Sequence, residues 1–207
     1  MDVDFRSQRA NMIESQVRTN DVSDAALIAA IGKVKREEFA DAKNIIFAYA
    51  EVAVKSKSGR SLLLPRDFSK LAQAAMVNQG DEVLIIAGSG GYSAAVFGAM
   101  GANVTIIDNV TAPPTDSAAI VGNIETLVDL GGQTYDVIFV DGGVAQIPTS
   151  WVEKLKENGR MCVITLENGV GNAKVFVKSN GRLSSRTIFD AKPPILTELN
   201  KSCEFVF

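Results

Sequence analysis

Five short runs of this chain carry almost no polar alternation: Val83-Leu84-Ile85-Ile86-Ala87, Val104-Thr105-Ile106-Ile107-Asp108, Ala118-Ala119-Ile120-Val121, Val137-Ile138-Phe139-Val140-Asp141 and Met161-Cys162-Val163-Ile164. A strand with one face in water alternates apolar and polar residues. Runs like these are buried on both faces, a condition met by a parallel sheet sandwiched between helices. Tyr92 to Met100 supplies one such helix, made of small residues and stopped at Gly101. Further on, Lys174 to Lys178, Leu183 to Phe189 and Glu204 to Phe207 read as an antiparallel finish around an Asn180-Gly181 turn. Trp151 falls in a helix expected to run on through Lys154, Lys156 and Glu157 to Gly159, with those charges on a solvated face.

With 207 residues, there is room for one domain and an appended piece. The division is expected near residue 76, with 1–76 as a helical and connective segment packed on the core and 77–207 as the sheet domain. Ala25 to Ile31 is a short helix after the Asn20-Asp21-Val22-Ser23-Asp24 cap cluster, stopped by Gly32. Pro65 suits the first turn of a helix carrying Phe68, Leu71, Ala72 and Ala75 on one side.

The charge of −3 supplies no basic face for phosphate, which excludes nucleic-acid and anionic-membrane binding as expectations. No run of 18 apolar residues occurs, and Met1-Asp2-Val3-Asp4-Phe5-Arg6 lacks the order of a signal peptide, so a cytoplasmic protein is expected. The chain has no histidine, which removes Ser–His and Cys–His nucleophiles, imidazole bases and histidine metal sites together. Cys162 and Cys203 both lie in apolar β-like runs and read as small hydrophobes. Chemistry therefore falls to carboxylates, hydroxyls, backbone amides or a bound cofactor, and no metal site is expected.

One constellation fits a cofactor. The first apolar run ends in Ala87-Gly88-Ser89-Gly90-Gly91 and passes into a helix, which aims amides and a positive helix end at the carboxyl edge of the sheet. The next strand ends in Asp108, an acid able to accept both hydroxyls of a ribose. The alternative is that the glycines serve close strand–helix packing and Asp108 caps a loop. Asp141 ends another strand at the same edge, either as a cofactor contact or as a loop cap.

The chain resembles the protein-L-isoaspartate O-methyltransferase family, within the Rossmann-like methyltransferases that use S-adenosylmethionine. The resemblance rests on Arg9 to Arg18 (RANMIESQVR), Val34 to Phe39 (VKREEF), Ala48-Tyr49, Gly80 to Leu84 leading into Gly91 to Ala95, Tyr135 to Ile138, and Leu155 to Arg160, in that order. It implies an α/β, Rossmann-like methyltransferase sheet with an N-terminal helical extension, S-adenosylmethionine as cofactor, and protein or peptide substrates bearing isoaspartyl residues. It further implies cofactor contacts at Ala87, Gly88, Ser89, Gly90, Gly91, Asp108, Asn123 and Asp141, and substrate contacts at Ser61 and Arg66. Such chemistry suits a chain without histidine. The sulfonium methyl is already activated and the accepting carboxylate already ionised, so positioning and exclusion of water suffice.

Three departures stand against this. Ala87 and Ser89 replace two glycines of the family's alternating turn, and Ile85 stands at a usually acidic strand position. From Asp108 to Ala118 only Asn109 to Ser117 intervene, including Pro113-Pro114, too few for a crossover helix, so one wall of an adenine pocket beside Gly122-Asn123-Ile124 is missing or rebuilt. In Gly59-Arg60-Ser61-Leu62-Leu63-Leu64-Pro65-Arg66, Leu63 stands where an active-site hydroxyl is expected and only Ser61 survives. Arg66 reads either as a substrate contact or as a surface residue. Two functions follow: an isoaspartyl methyltransferase, or a catalytically inactive relative that binds or assembles on the same fold. A nicotinamide dehydrogenase is disfavoured by Ser89 in the glycine turn. The methyltransferase reading needs an open hollow between the glycine turn and Asp108; one plugged by the protein's own side chains leaves shared ancestry.

Overall fold

The computed structural model describes residues 3–111 and 117–199. Helix α1 (Phe5–Met12) starts on Asp4, whose carboxylate accepts from the Ser7 amide at 3.0 Å, and α2 (Ala25–Lys33) starts on Asp24, which accepts from Ala26 and Leu27. Gly32 lies inside α2 rather than ending it. A hairpin of two-residue strands, β1 (Val54–Lys55) and β2 (Ser61–Leu62), precedes α3 (Pro65–Ala75). Pro65 opens α3 as its spacing predicts, Phe68, Leu71, Ala72 and Ala75 are buried, and the Glu51 carboxylate accepts from the Arg66 amide at the first turn.

The sheet strands follow: β3 (Glu82–Ile86), then helix α4 (Tyr92–Ala99), β4 (Asn103–Asp108), β5 (Ala118–Val121), β6 (Tyr135–Val144), helix α5 (Thr149–Glu153), β7 (Leu155–Glu167), β8 (Val170–Ser179) and β9 (Arg182–Ala191). Their order across the sheet is β5-β4-β3-β6-β7-β8-β9, with the first four pairings parallel and the last two antiparallel. The α/β sheet with an antiparallel C-terminal finish is as the sequence implies. Asn180 and Gly181 both take positive φ, 51° and 69°, the backbone that a tight hairpin turn requires. The strand expected at Glu204 to Phe207, like Cys203, lies outside the described residues.

Alternate residues of each central strand enter two separate cores. Val83, Ile85, Ile106, Val137, Phe139 and Ile164 face a core completed by α2, α3 and α4. Leu84, Ile86, Ile107, Ile138, Val140 and Val163 face the other, completed by Trp151, Leu155, Leu130 and Leu199. Burial on both faces explains the missing polar alternation. The second face departs from a sandwich of helices: among the described residues it carries the short α5 and single turns at 128–130 and 197–199.

Lys156 and Glu157 are not helical. The helix ends at Glu153, and both residues belong to β7, where Tyr135 pairs with Leu155 but Val137 pairs with Arg160. The extra residues form an irregular bulge around Asn158, whose φ is +61°. Lys156 pairs with Asp136, and Glu157 accepts from the Asn180 amide, so the charges tie strands together instead of lining a solvated helix. Trp151 is fully buried and donates from Nε1 to the Ile124 carbonyl at 2.7 Å.

The crossover after β4 can be short because β5 enters the sheet opposite Thr105, so the chain retraces only a few residues of strand. The consequence is exposure: Ala118, Ala119 and Val121 of edge strand β5 are uncovered, Val121 to 64%. Pro113, Pro114 and Asp116 lie outside the described residues.

Residues that carry the family resemblance make a polar network under the N-terminal segment. Arg9 donates to the Tyr49 hydroxyl at 2.8 Å, to Glu37 at 3.2 Å and to the Gly32 carbonyl, and Tyr49 in turn donates to Glu37. Arg36, 1% exposed, donates to the carbonyls of Ala48 and Leu63 and stacks over the Tyr92 ring. Burial pulls its pKa down, against the pull of Tyr92 and Asp141.

Candidate functional site

The carboxyl edge of β3, β4 and β6 brings together the glycine turn, Asp108 and Asp141. After β3, Ala87 takes the left-handed conformation at φ +58°, residues Gly88–Gly90 make one tight turn, and Gly91 at φ +80° leads into α4. All five are buried. The glycines do different work. A Cβ at Gly88 would meet Ile85 Cγ2 at 2.5 Å and Ile106 Cγ2 at 3.2 Å, so Gly88 is fixed by packing of the turn onto its own sheet. A Cβ at Gly90 would meet Leu62 Cδ2 at 2.9 Å, because the β1–β2 hairpin lies across the turn.

Asp108, 1% exposed, is where the turn and the hairpin meet. Its Oδ2 accepts from the Ser89 amide at 3.0 Å, so the turn and the acid do converge. Arg60 takes the rest of the carboxylate: Nη2 donates to Oδ1 at 2.6 Å, and Nε lies 3.2 Å from both oxygens. The Val110 amide adds a fifth, longer contact at 3.4 Å. A carboxylate offers about four acceptor positions, and these are filled. Arg60 Nη2 also lies 2.6 Å from Asn109 Oδ1 and 2.5 Å from Glu198, so its two N–H groups are shared among three acceptors, and Ser89 Oγ donates to Ser58 on the same hairpin. Burial works against the Arg60 charge, but hydrogen bonds to Asp108 and Glu198 raise its pKa; burial likewise opposes the Glu198 charge, and the bond from Arg60 lowers its pKa.

Asp141 accepts from Ser93 Oγ at 2.5 Å. Burial pushes its pKa up to about 7, opposed by that hydrogen bond and by Arg36 and reinforced by Asp108. Asn123 Oδ1 accepts from the amides of Glu125 and Thr126, while the residue lines a cavity of about 90 Å³ shared with Asn109, Ile124, Glu198 and Leu199. Ser61 sits on β2 next to Arg60, opposite Lys55. Arg66 is engaged elsewhere, with Asp67 at 3.0 Å and over the Phe189 ring. Leu63 is buried, its carbonyl held by Arg36. A larger hollow, about 880 Å³, lies along α4 and β4 away from this edge, rimmed by Lys33, Lys35, Glu38 and Glu82. No cluster of three potential metal ligands occurs among the described residues.

Asp108 and the amides of the turn are the groups a nucleoside needs, and with the hairpin in place Arg60 and Leu62 lie against them. Pockets for cofactor-sized ligands are ~300–1,000 Å³, well above the 90 Å³ beside Asn123. Sequence reasoning did not single out Arg60 or Glu198. The available signal was an arginine one residue before Ser61, in a loop that the family resemblance brings to the edge bearing Asp108.

A model of the protein-L-isoaspartate(D-aspartate) O-methyltransferase family matches residues 7–113 and 132–191. A protein-L-isoaspartate O-methyltransferase from Koribacter versatilis is 28% identical over 203 residues, 91% of this chain and 90% of that one, and one from Rhodopseudomonas palustris is 29% identical over 76% of this chain and 69% of its own length. A solved Plasmodium falciparum structure, described as an isoaspartate methyltransferase in complex with S-adenosyl-L-homocysteine, superposes with a TM-score of 0.77 at 16% identity over 94% of this chain and 99% of its own. Another isoaspartate methyltransferase structure gives a TM-score of 0.75 at 22% identity over 90% of this chain and 65% of its own. On the match to both halves of the sheet and to the N-terminal network, the chain belongs to the protein-L-isoaspartate(D-aspartate) O-methyltransferase family, whose methyl donor is S-adenosylmethionine.

Proposed function

We propose that this chain transfers a methyl group from S-adenosylmethionine to the carboxylate of isoaspartyl residues in damaged proteins, in the cytoplasm. The observation that carries the reading is the convergence of the Ser89 amide and the Asp108 carboxylate at the carboxyl edge, 3.0 Å apart. In this reading Asp108 holds the ribose hydroxyls, the turn from Ala87 to Gly91 faces the rest of the nucleoside, and Asn123 and Asp141 flank it. Ser61 meets the substrate, as does Arg66 once it leaves Asp67 and the Phe189 ring. The bound cofactor supplies an activated methyl; the protein's part is to align the two groups and keep water out.

The plug formed by Arg60 bears directly on this. It is carried by a hairpin whose strands are two residues long, an element with little stability of its own. The guanidinium of Arg60 itself lies outside the hydrophobic core, although Leu62 of the same limb is part of it. The second reading, an inactive relative on the same fold, requires instead that the site stays shut; the family match favours the enzyme. Calorimetry with S-adenosylhomocysteine and radiolabelled methyl transfer to an isoaspartyl peptide separate the two. Transfer abolished by Asp108→Ala supports the enzyme, and no heat at millimolar ligand with no transfer rejects it.

A further inference from the structure

We propose that the limb of the hairpin carrying Arg60 is an autoinhibitory latch, so that Arg60 and the cofactor's ribose compete for Asp108 and the site opens only when the limb swings out. The proposal rests on the methyltransferase reading. Four observations meet at this point. Arg60 occupies both oxygens of the acid that the ribose requires. Its guanidinium, 15% exposed, also grips Glu198 from the C-terminal turn and Asn109 from the end of β4, so one side chain joins three parts of the chain across the hollow. Leu62 and Ser58 of the same limb cover Gly90 and Ser89. Arginine is suited to such a lock, because its planar fork matches a carboxylate and its charge persists at every relevant pH.

The two limbs are held differently. The first is stitched to the preceding segment: the Asp41 amide donates to the Lys55 carbonyl at 2.9 Å and the Lys57 amide to the Phe39 carbonyl at 3.1 Å. The second hangs from the first by the strand pairing and by the Ser56 amide on the Arg60 carbonyl at 2.7 Å, with the Gly59 amide on Ser56 closing the turn. Release of Arg60 therefore frees Ser58 to Ser61, while the first limb stays and Leu62 remains anchored in the core opposite Val54. Hydrogen exchange separates these states by residue: the amides of Ser56 and Gly59 lose their partners on opening, and that of Lys57 keeps its own.

The test compares the wild type with Arg60→Gln, by calorimetric titration with S-adenosylhomocysteine and by hydrogen exchange. The expected result is roughly tenfold or greater tightening in Arg60→Gln, with faster exchange at Ser56 and Gly59, unchanged protection at Lys57, and the same exchange pattern in the wild type once ligand is added. Faster exchange in Arg60→Gln without tighter binding, in a pair that both bind, overturns the latch and leaves the methyltransferase reading standing. Unchanged exchange in Arg60→Gln also overturns it, since Arg60 then holds nothing. If neither protein binds at millimolar ligand although the limb has been freed, the methyltransferase reading itself fails and the latch with it. Should Arg60→Gln not fold, Glu198→Gln loosens the grip from the far side; a smaller tightening supports the latch, and none refutes it.

Discussion

Substitutions within the glycine turn separate residues fixed by packing from those that leave room for a ligand. At Gly88 an added Cβ would stand 2.5 Å from Ile85 Cγ2, 3.1 Å from Ile85 Cβ and 3.2 Å from Ile106 Cγ2. Ordinary carbon contacts lie near 3.5–4.0 Å, so about an ångström of overlap must be absorbed. Ile85 and Ile106 are both wholly buried on central strands and cannot retreat. Gly88→Ala should therefore cost at the upper part of the usual overpacking range, about 2–3 kcal/mol. At Gly90 the nearest atom is Leu62 Cδ2 at 2.9 Å, the tip of a side chain on the hairpin. A small displacement of that hairpin absorbs it, and Gly90→Ala should cost less than about 1 kcal/mol. Ala87 already pays for a left-handed backbone at φ +58°. Ala87→Gly relieves about 1 kcal/mol of strain and loses about as much in buried methyl, for a net effect near zero.

Urea unfolding followed by Trp151 fluorescence measures all three, since this is the chain's one tryptophan and it is buried. A second perturbation tests the cause. Ile85→Leu moves the branch methyl off Cβ at similar volume, so in a double-mutant cycle it should recover about 1 kcal/mol of the Gly88→Ala loss. If Gly88→Ala is as mild as Gly90→Ala, or if Ile85→Leu recovers nothing, the turn is not pressed against its sheet as described and the packing account of Gly88 is wrong.

Trp151→Phe leaves the Ile124 carbonyl without its donor at 2.7 Å and should lower stability by about 1–3 kcal/mol, measured by circular dichroism in urea. Arg36→Met removes the fork shared by the Ala48 and Leu63 carbonyls and orphans both; a loss of about 2–4 kcal/mol is expected in the same assay. Asp141 has its pKa raised to about 7 in the folded chain, so the unfolded state binds fewer protons between pH ~4 and 7 and stability falls as pH rises through that window. Asp141→Asn keeps an acceptor for Ser93 and should flatten that part of the stability–pH curve; an unchanged slope would show that Asp141 is not its source.

The sheet was legible because burial on two faces leaves a direct mark: each central run feeds two cores with alternate residues, and neither set can be polar. The C-terminal hairpin was legible for a local reason, Asn180 and Gly181 both needing positive φ. Lys156 and Glu157 misled because their polarity has the look of a helix surface, while their partners are Asp136 on β6 and the Asn180 amide in the β8–β9 turn. Helices on the second face were inferred from the same burial that the strands show. A fully buried Trp151, with Leu127, Leu130 and Leu199 on turns, covers that face with far less chain.

The candidate site divides along the same line. Asp108 and the glycine turn could be placed at one edge because both end parallel strands, and strand direction is a property of sequence order and sheet topology. Arg60 could not be so placed. It reaches Asp108 across 48 residues of chain, from a hairpin whose two-residue strands have too little pattern to declare themselves. Its side chain also has a second life that sequence does not reveal, since the same guanidinium that neutralises Asp108 is held from beyond by Glu198, which lies 138 residues further on. An acid that is 1% exposed requires a partner, because an unpaired buried carboxylate is too costly to keep. Asp108 therefore implies either a ligand that supplies donors or a side chain that stands in for one. The three departures from the family pattern were read as damage to the cofactor cradle, the adenine wall and the substrate loop. Arg60 supplies the complement to that damage: it meets the electrostatic demand of the acid while the cradle is shut. A buried Asp108 is then explained by a site that opens, in which a ribose takes the place that Arg60 holds while the cradle is shut. The hydrogen-bond partner that arrives when Arg60 is removed tests this: a ribose supports it, and water alone refutes it.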